Sequence, residues 1–222
     1  VTKKSILVIA PHPDDETLGT GGFILKQKKL GNQVFVLNMT NMDEKFGYEA
    51  ERVEKRKNEI RQMISGYNLD GFFDLCLKPA ALDTYSENEL IAKLSNLFNE
   101  IRPDTVILPY CYDIHSDHRI TFNLGYACTK SFRYPYIKRT LMMETASETE
   151  YAFCENSFKP NYFVDISEFI DRKIEILKYF ESEVGEHPFP RSERTIRANC
   201  LMRGAMSGVE YAEAFVLLKY IE

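Results

Sequence analysis

Only four of the 222 residues are histidines, and three of them sit in two short acidic segments, Pro11-His12-Pro13-Asp14-Asp15-Glu16 and His115-Ser116-Asp117-His118. Imidazoles and carboxylates serve as metal ligands, general bases and oxyanion donors, so these segments are where the chain could do chemistry. Brought together, they would place two imidazoles and a carboxylate around one point, the ligand set of a catalytic zinc site with an open position. Magnesium would want mostly oxygen ligands and a closed structural zinc site thiolates, and neither segment supplies those. An iron(II) site of the two-histidine, one-carboxylate type is the chemical alternative. Each segment alone says less. Asp14-Asp15-Glu16 also reads as a helix N-terminus favouring negative charge, and a single His-x-x-His is a short motif with many chance matches. Spacing leaves open which of His115 and His118 would bind a metal.

The weight of the pairing comes from the elements that must position it. Residues 5–10 form a continuous apolar run, the form of a strand covered on both faces, and 18–30 has helical spacing up to Gly31. Strands over 33–40, 71–77 and 105–110 alternate with helices over 49–67, 86–101 and from about 117 to 132. The 86–101 helix is opened by a Ser86/Glu89 capping box, and Pro103 breaks the chain after it. Four strand-then-helix units predict a mostly parallel sheet in the order 3-2-1-4-5, a Rossmann-like doubly wound α/β fold with helices on both faces. Strands one and four are then neighbours whose helices leave toward opposite faces. Both histidine segments follow the C-terminal ends of those strands, in the crevice where ligands bind. Further on, 139–144 and 162–166 read as strands and 167–180 and 195–206 as helices. No linker, repeat or composition shift divides the chain, so a single domain over 1–222 is expected.

Composition narrows the partners. With 44% hydrophobic and 27% charged residues the chain is globular in type, neither disordered nor fibrous. A formal net charge of −5, from 28 basic and 33 acidic residues without a long block of either sign, gives no broad cationic surface for nucleic acid. The apolar run at 6–10 stops at Pro11, well short of the about 20 residues of a membrane span, so a soluble, cytoplasmic chain is expected. Five cysteines without a Cys-x-x-Cys pair predict reduced, mostly buried thiols. Gly19, Gly21 and Gly22 lack the Gly-x-Gly-x-x-Gly of a dinucleotide site and are expected to permit close helix packing. Arg56 falls inside the apolar stripe of Val53, Ile60 and Ile64, where its charge needs Glu59 or another acid as a partner. His187 is read as a loop residue near the pocket, without a role.

The two motifs together resemble the PIG-L/LmbE family of zinc-dependent N-acetylglucosamine deacetylases. Looser matches at Arg56-x-x-Glu59, Val164-Asp165-Ile166 and Tyr211-Ala212-Glu213-Ala214-Phe215 extend the resemblance over most of the chain. It implies a metal-dependent hydrolase that removes the acetyl group from an N-acetylglucosamine-type amino sugar or its glycoconjugate. The cofactor would be zinc, with another divalent metal such as iron(II) as the alternative. It implies His12, Asp15 and His118 as metal ligands, Asp14 as general base, His115 as the oxyanion-stabilising or proton-donating residue, and Arg56 as a contact to a sugar hydroxyl or phosphate. On the physical reading, a protonated His115 would serve the far side of the carbonyl, with Asp117 either holding its ring or capping the helix.

Two other classes compete. A metal- or sugar-binding module without turnover would lack the residues at 14 or 115, and neither is missing. A metal phosphoesterase would want more carboxylates and a second metal about 4 Å away. The resemblance spans thiol-conjugated glucosaminides, phosphatidylinositol-linked sugars, antibiotic or surface glycans, nucleotide-linked sugars and chitooligosaccharides. The lack of a hydrophobic anchor counts against the lipid-linked class. Specificity is expected from 41–48, 83–85 and 145–158, and homo-oligomerisation is left open.

Overall fold

Alternation of side chains along the strands sets the layers. In the computed structural model, which describes residues 3–222, strand β1 (Ser5–Ala10) is buried from Ile6 onward. Ile6 and Val8 enter one apolar cluster and Leu7 and Ile9 the other, as a period of two requires. Strand β1 pairs in parallel with β2 (Gln33–Thr40) and with β4 (Thr105–Leu108). Strand β2 pairs in parallel with β3 (Gly71–Leu77), and β4 with β5 (Arg139–Met143). Helices α1 (Asp15–Lys29), α2 (Ala50–Tyr67), α5 (Ile170–Leu177) and α6 (Glu193–Ser207) pack into the first cluster. Helices α3 (Glu87–Ile101) and α4 (Ser116–Ala127) pack into the second. Helices α1 and α4 therefore leave β1 and β4 on opposite faces, and the two histidine segments meet across the switch point.

The predicted 3-2-1-4-5 order holds within a longer sheet, β3-β2-β1-β4-β5-β7-β6. Strand β7 (Ala212–Tyr220) was not expected; it runs antiparallel between β5 and β6 (Tyr162–Asp165) and makes the sheet mixed. Other boundaries move too. Helix α1 starts at Asp15 rather than at 18, and α4 ends at Ala127 rather than near 132, where the Thr129 hydroxyl turns back to the Tyr126 carbonyl. Helix α5 is shortened at both ends, its first turns replaced by a bend in which Asp165 accepts from the Ser167 N–H and hydroxyl. The Ser86/Glu89 capping box does not form: Ser86 is the N-cap of α3, but its side chain makes no cap bond. All five cysteines are free; Cys128 and Cys200 are buried, Cys76 and Cys111 half-buried and Cys154 exposed, so most are not core residues.

Helix α1, which carries the first acidic segment, is locked from outside. A side chain at Gly22 would put its Cβ 2.6 Å from Ile166, and one at Gly19 2.8 Å from Met143, so these glycines do allow close approach. In the middle of α1 the Gly22 and Phe23 N–H groups donate to the Glu213 carboxylate at 2.8 and 2.7 Å. Lys173 Nζ donates to Glu213 at 2.7 Å and to the Leu18 carbonyl at 2.8 Å. Both charged residues are buried, so each depends on the other. Lys173→Ala is therefore expected to destabilise the fold by about 3–5 kcal/mol, the usual effect of stranding one buried charge. Thermal unfolding should show Tm lower by roughly 6–20 °C; a shift within error would show that the pair does not anchor α1.

Candidate active site

The first segment is shaped by its ends. The Pro11 carbonyl accepts from the Thr40 N–H at 3.0 Å and from the Thr40 hydroxyl at 2.9 Å, which ties the turn to the end of β2. Asp14 then adopts φ 137, ψ −28, a conformation that a residue with a side chain rarely holds. The Asp14 N–H donates to Glu16 Oε2 at 3.1 Å, and the Thr17 hydroxyl donates to Glu16 Oε1 at 2.7 Å. Burial pushes the Glu16 carboxyl up to about 7. This twist sends neighbouring carboxylates to different partners, Asp14 to Arg191 and Asp15 to the histidines.

Asp15 Oδ2 accepts from the His12 N–H at 2.9 Å and lies 3.2 Å from both His12 Nδ1 and His118 Nε2. The ligand atoms of His12, Asp15 and His118 all fall within 4.8 Å of one another. The outer nitrogens of both rings meet carboxylates: His12 Nε2 lies 3.2 Å from Asp117 Oδ2, and His118 Nδ1 lies 2.8 Å from Asp113 Oδ2. Asp113 Oδ1 in turn accepts from the Thr149 hydroxyl at 2.6 Å. A carboxylate behind each imidazole fixes its tautomer and leaves the inner nitrogen as a ligand. His118 Nε2 is buried and, although 3.2 Å from Asp15 Oδ2, makes no hydrogen bond of acceptable angle, a need that a cation shared with Asp15 would satisfy. The donor set thus fits a divalent ion of the zinc or iron(II) kind.

Electrostatics differ sharply between these neighbours. Burial would raise the Asp15 carboxyl, but the charges of His118 and His12 hold it well below the usual carboxylate range. Burial and the charge of Asp15 push Asp14 well above that range, with Arg191 pulling back. Burial opposes protonation of His12, yet its contacts with Asp117 and Asp15 prevail and push it up to about 9.

His115 caps α4 with its ring: Nδ1 accepts from the Asp117 N–H at 3.1 Å. An accepting nitrogen carries no proton, which places the ring hydrogen on Nε2, and burial together with the charge of His12 lowers the ring's pKa. Asp117 neither holds the His115 ring with its carboxylate nor caps the helix with it. Its oxygens accept from the N–H groups of Ala80 at 2.7 Å and Leu82 at 3.2 Å and meet His12, and His12, His115 and Asp117 form a second group whose candidate ligand atoms lie within 4.8 Å of one another.

A cavity of about 250 Å³ opens over these groups, with His12, Asp14, Asp15 and His115 at its base. Asn41, Met42 and Tyr48 line it from the expected 41–48 segment, and Ser147 and Glu148 from 145–158. The 83–85 segment is not there. Asp117's hold on Ala80 and Leu82 brings Pro79 and Ala80 to the rim instead, while the Tyr85 hydroxyl accepts from the Lys78 N–H.

Glu183 and Arg191 complete the wall, and neither was singled out from sequence. Arg191 Nη1 donates to Asp14 Oδ2 at 2.8 Å and to Glu183 Oε2 at 3.1 Å. Arg56 is paired as its position in the apolar stripe demands: Nε lies 3.2 Å from Glu59, Nη1 donates to the Pro13 carbonyl at 2.9 Å, and Nη2 pairs with Glu183. Asp113 was also missed; only its place in the polar loop before His115 marked it. His187 borders a neighbouring hollow with Val184 and Arg191.

Residues 7–129, which include both histidine segments, match the PIG-L family, described as GlcNAc-PI de-N-acetylase. Diacetylchitobiose deacetylase of Thermococcus kodakarensis is 31% identical over 226 residues, spanning 95% of this chain and 81% of that protein. The chain belongs to the PIG-L family. Among solved structures, N,N'-diacetylchitobiose deacetylase from Pyrococcus horikoshii superposes with a TM-score of 0.78 at 24% identity, covering 97% of this chain and 84% of that one. The conserved protein TT1542 from Thermus thermophilus gives a TM-score of 0.79 at 26% identity, covering 99% and 96%. This PIG-L family member is a hydrolytic N-deacetylase. Among the described residues no helix is long and apolar enough to cross a membrane.

Proposed function

We propose that the chain hydrolyses the acetamide of an N-acetylglucosamine unit in a small saccharide of the diacetylchitobiose kind. His12, Asp15 and His118 would hold the divalent metal, and residues 1–222 would act as one catalytic domain. One observation carries this reading: the orphaned, buried His118 Nε2 faces Asp15 and His12 directly beside a buried acid and a neutral imidazole. A bound zinc or iron(II) ion lends Lewis acidity to the acetyl carbonyl and to water.

The remaining steps belong to the chain. Asp14 takes the proton of the attacking water, since its raised pKa brings it toward the range in which a base works near neutrality. Arg191 holds Asp14 Oδ2 and leaves Oδ1 for that proton. As water adds to the carbonyl carbon, the His115 Nε2–H donates to the oxygen that gains charge. When the C–N bond breaks, Asp14 returns the proton to the departing nitrogen, giving acetate and a free amine. Asp117 and Asp113 position the two imidazole ligands from behind. Arg56 keeps the Pro13 carbonyl, and with it the Asp14 turn, in place, and offers its remaining Nη1 hydrogen to a sugar hydroxyl. A reducing compartment such as the cytoplasm suits the five unpaired thiols.

The test is direct. Protein loaded with zinc or iron(II) and incubated with diacetylchitobiose should release acetate and primary amine in equal amounts. Release from none of diacetylchitobiose, N-acetylglucosamine and N-acetylglucosamine 1-phosphate would overturn the reading.

A further inference from the structure

Glu148 lines the same cavity as the reacting groups, and the mechanism above does not use it. Its turn is keyed to the second ligand segment. The Thr149 hydroxyl donates to Asp113, which holds His118, and the Glu148 carbonyl accepts from the Ile114 N–H at 3.3 Å. Ser147, at φ 76, turns the chain so that Glu148 lines the cavity. Glu148 Oε2 is buried without a hydrogen-bond partner. A buried acceptor in that state loses its water without a replacement, unless a ligand brings a donor.

The cations at the cavity are already committed. Arg56 is engaged by Glu59 and Glu183, and Arg191 by Asp14 and Glu183. Among the described residues lining the cavity there is no lysine and no arginine without a carboxylate partner to receive a phosphate or carboxylate. The wall instead presents an unmet carboxylate acceptor, Glu148 Oε2.

We propose that Glu148 sets which sugar conjugates the cleft accepts: it takes a hydrogen bond from a hydroxyl of a neutral saccharide and excludes conjugates with an anionic group next to the N-acetylated ring. This deepens the N-deacetylase reading above and rests on it. Glu148 touches the substrate away from the scissile amide, so its removal acts on KM more than on kcat.

The experiment compares wild type, Glu148→Ser and Glu148→Gln on diacetylchitobiose and on N-acetylglucosamine 1-phosphate. Glu148→Ser should raise KM for diacetylchitobiose about tenfold with kcat within about twofold. Glu148→Gln keeps an acceptor and loses the charge, so it should hold the neutral substrate and improve kcat/KM for the phosphate about tenfold. Binding of both compounds to Asp14→Asn protein, with and without Glu148→Gln, is measured by calorimetry and should show the same change in preference without turnover. An unchanged preference between the two compounds overturns the proposal, and so does loss of metal from Glu148→Ser, which would make Glu148 a ligand. Wild type releasing no acetate from these two compounds or from N-acetylglucosamine would instead overturn the deacetylase reading, while the calorimetric preference would still decide the role of Glu148.

Discussion

Asp14→Asn is expected to keep its metal and to lose about 10²- to 10⁴-fold in kcat, the range for removing a positioned general base. The substitution is nearly isosteric, and Asn tolerates unusual backbone angles better than most residues. The turn at φ 137 is held through the Asp14 N–H and Glu16, neither of which depends on the side chain at 14. Arg191 retains Glu183 as a partner, so no cation is stranded. The metal candidates His12, Asp15 and His118 are untouched. Metal content by elemental analysis should therefore match wild type while acetate release collapses. Activity above about a tenth of wild type would remove Asp14 from the role of base, since even the smallest such effect is about a hundredfold.

His118→Ala is expected to abolish metal binding in the useful range. Replacing a residue behind a ligand commonly lowers affinity by about 10- to 100-fold, and Asp113→Asn should fall in that window. Removing the ligand itself should exceed it, and here it also strands the fully buried Asp113 without its imidazole. The readout is stabilisation by added zinc. At a zinc concentration about a hundred times Kd, wild type gains about 2.7 kcal/mol, or roughly 5–10 °C in Tm for a chain of this size. His118→Ala should show almost none of this gain and Asp113→Asn an intermediate one at the same concentration. Equal gains in all three proteins would place the ion elsewhere.

Much of this arrangement was legible because its signals are local. Strand β1 is a continuous apolar run after Ser5, β2 and β3 are mostly apolar with Asn38 and Asp74 inside them, and the observed bounds of all three are those expected. Their alternation with helices gave the switch point, which put the two histidine segments together. Where reading failed, function or distant partners had displaced the local signal. Helix α1 begins three residues before its apolar periodicity because Asp15, Glu16 and Thr17 are buried in the site rather than in the core. Strand β7 was obscured by the charges near its two ends, Glu213 and Lys219, and the partner of Glu213, Lys173, lies 40 residues away. Arg191 reaches Asp14 across 177 residues, and no spacing rule connects them. Asp117 was singled out from sequence, but its role turned on the backbone of Ala80 and Leu82, which only the folded turn supplies.

The carboxylate that completes helix α1 is separated from Gly22 by 191 residues. During synthesis the turn that carries Asp14 and Asp15 leaves the ribosome well before the carboxylate that fastens its helix. A nascent chain stopped short of residue 213 would therefore carry Asp15 at the start of a helix not yet fastened.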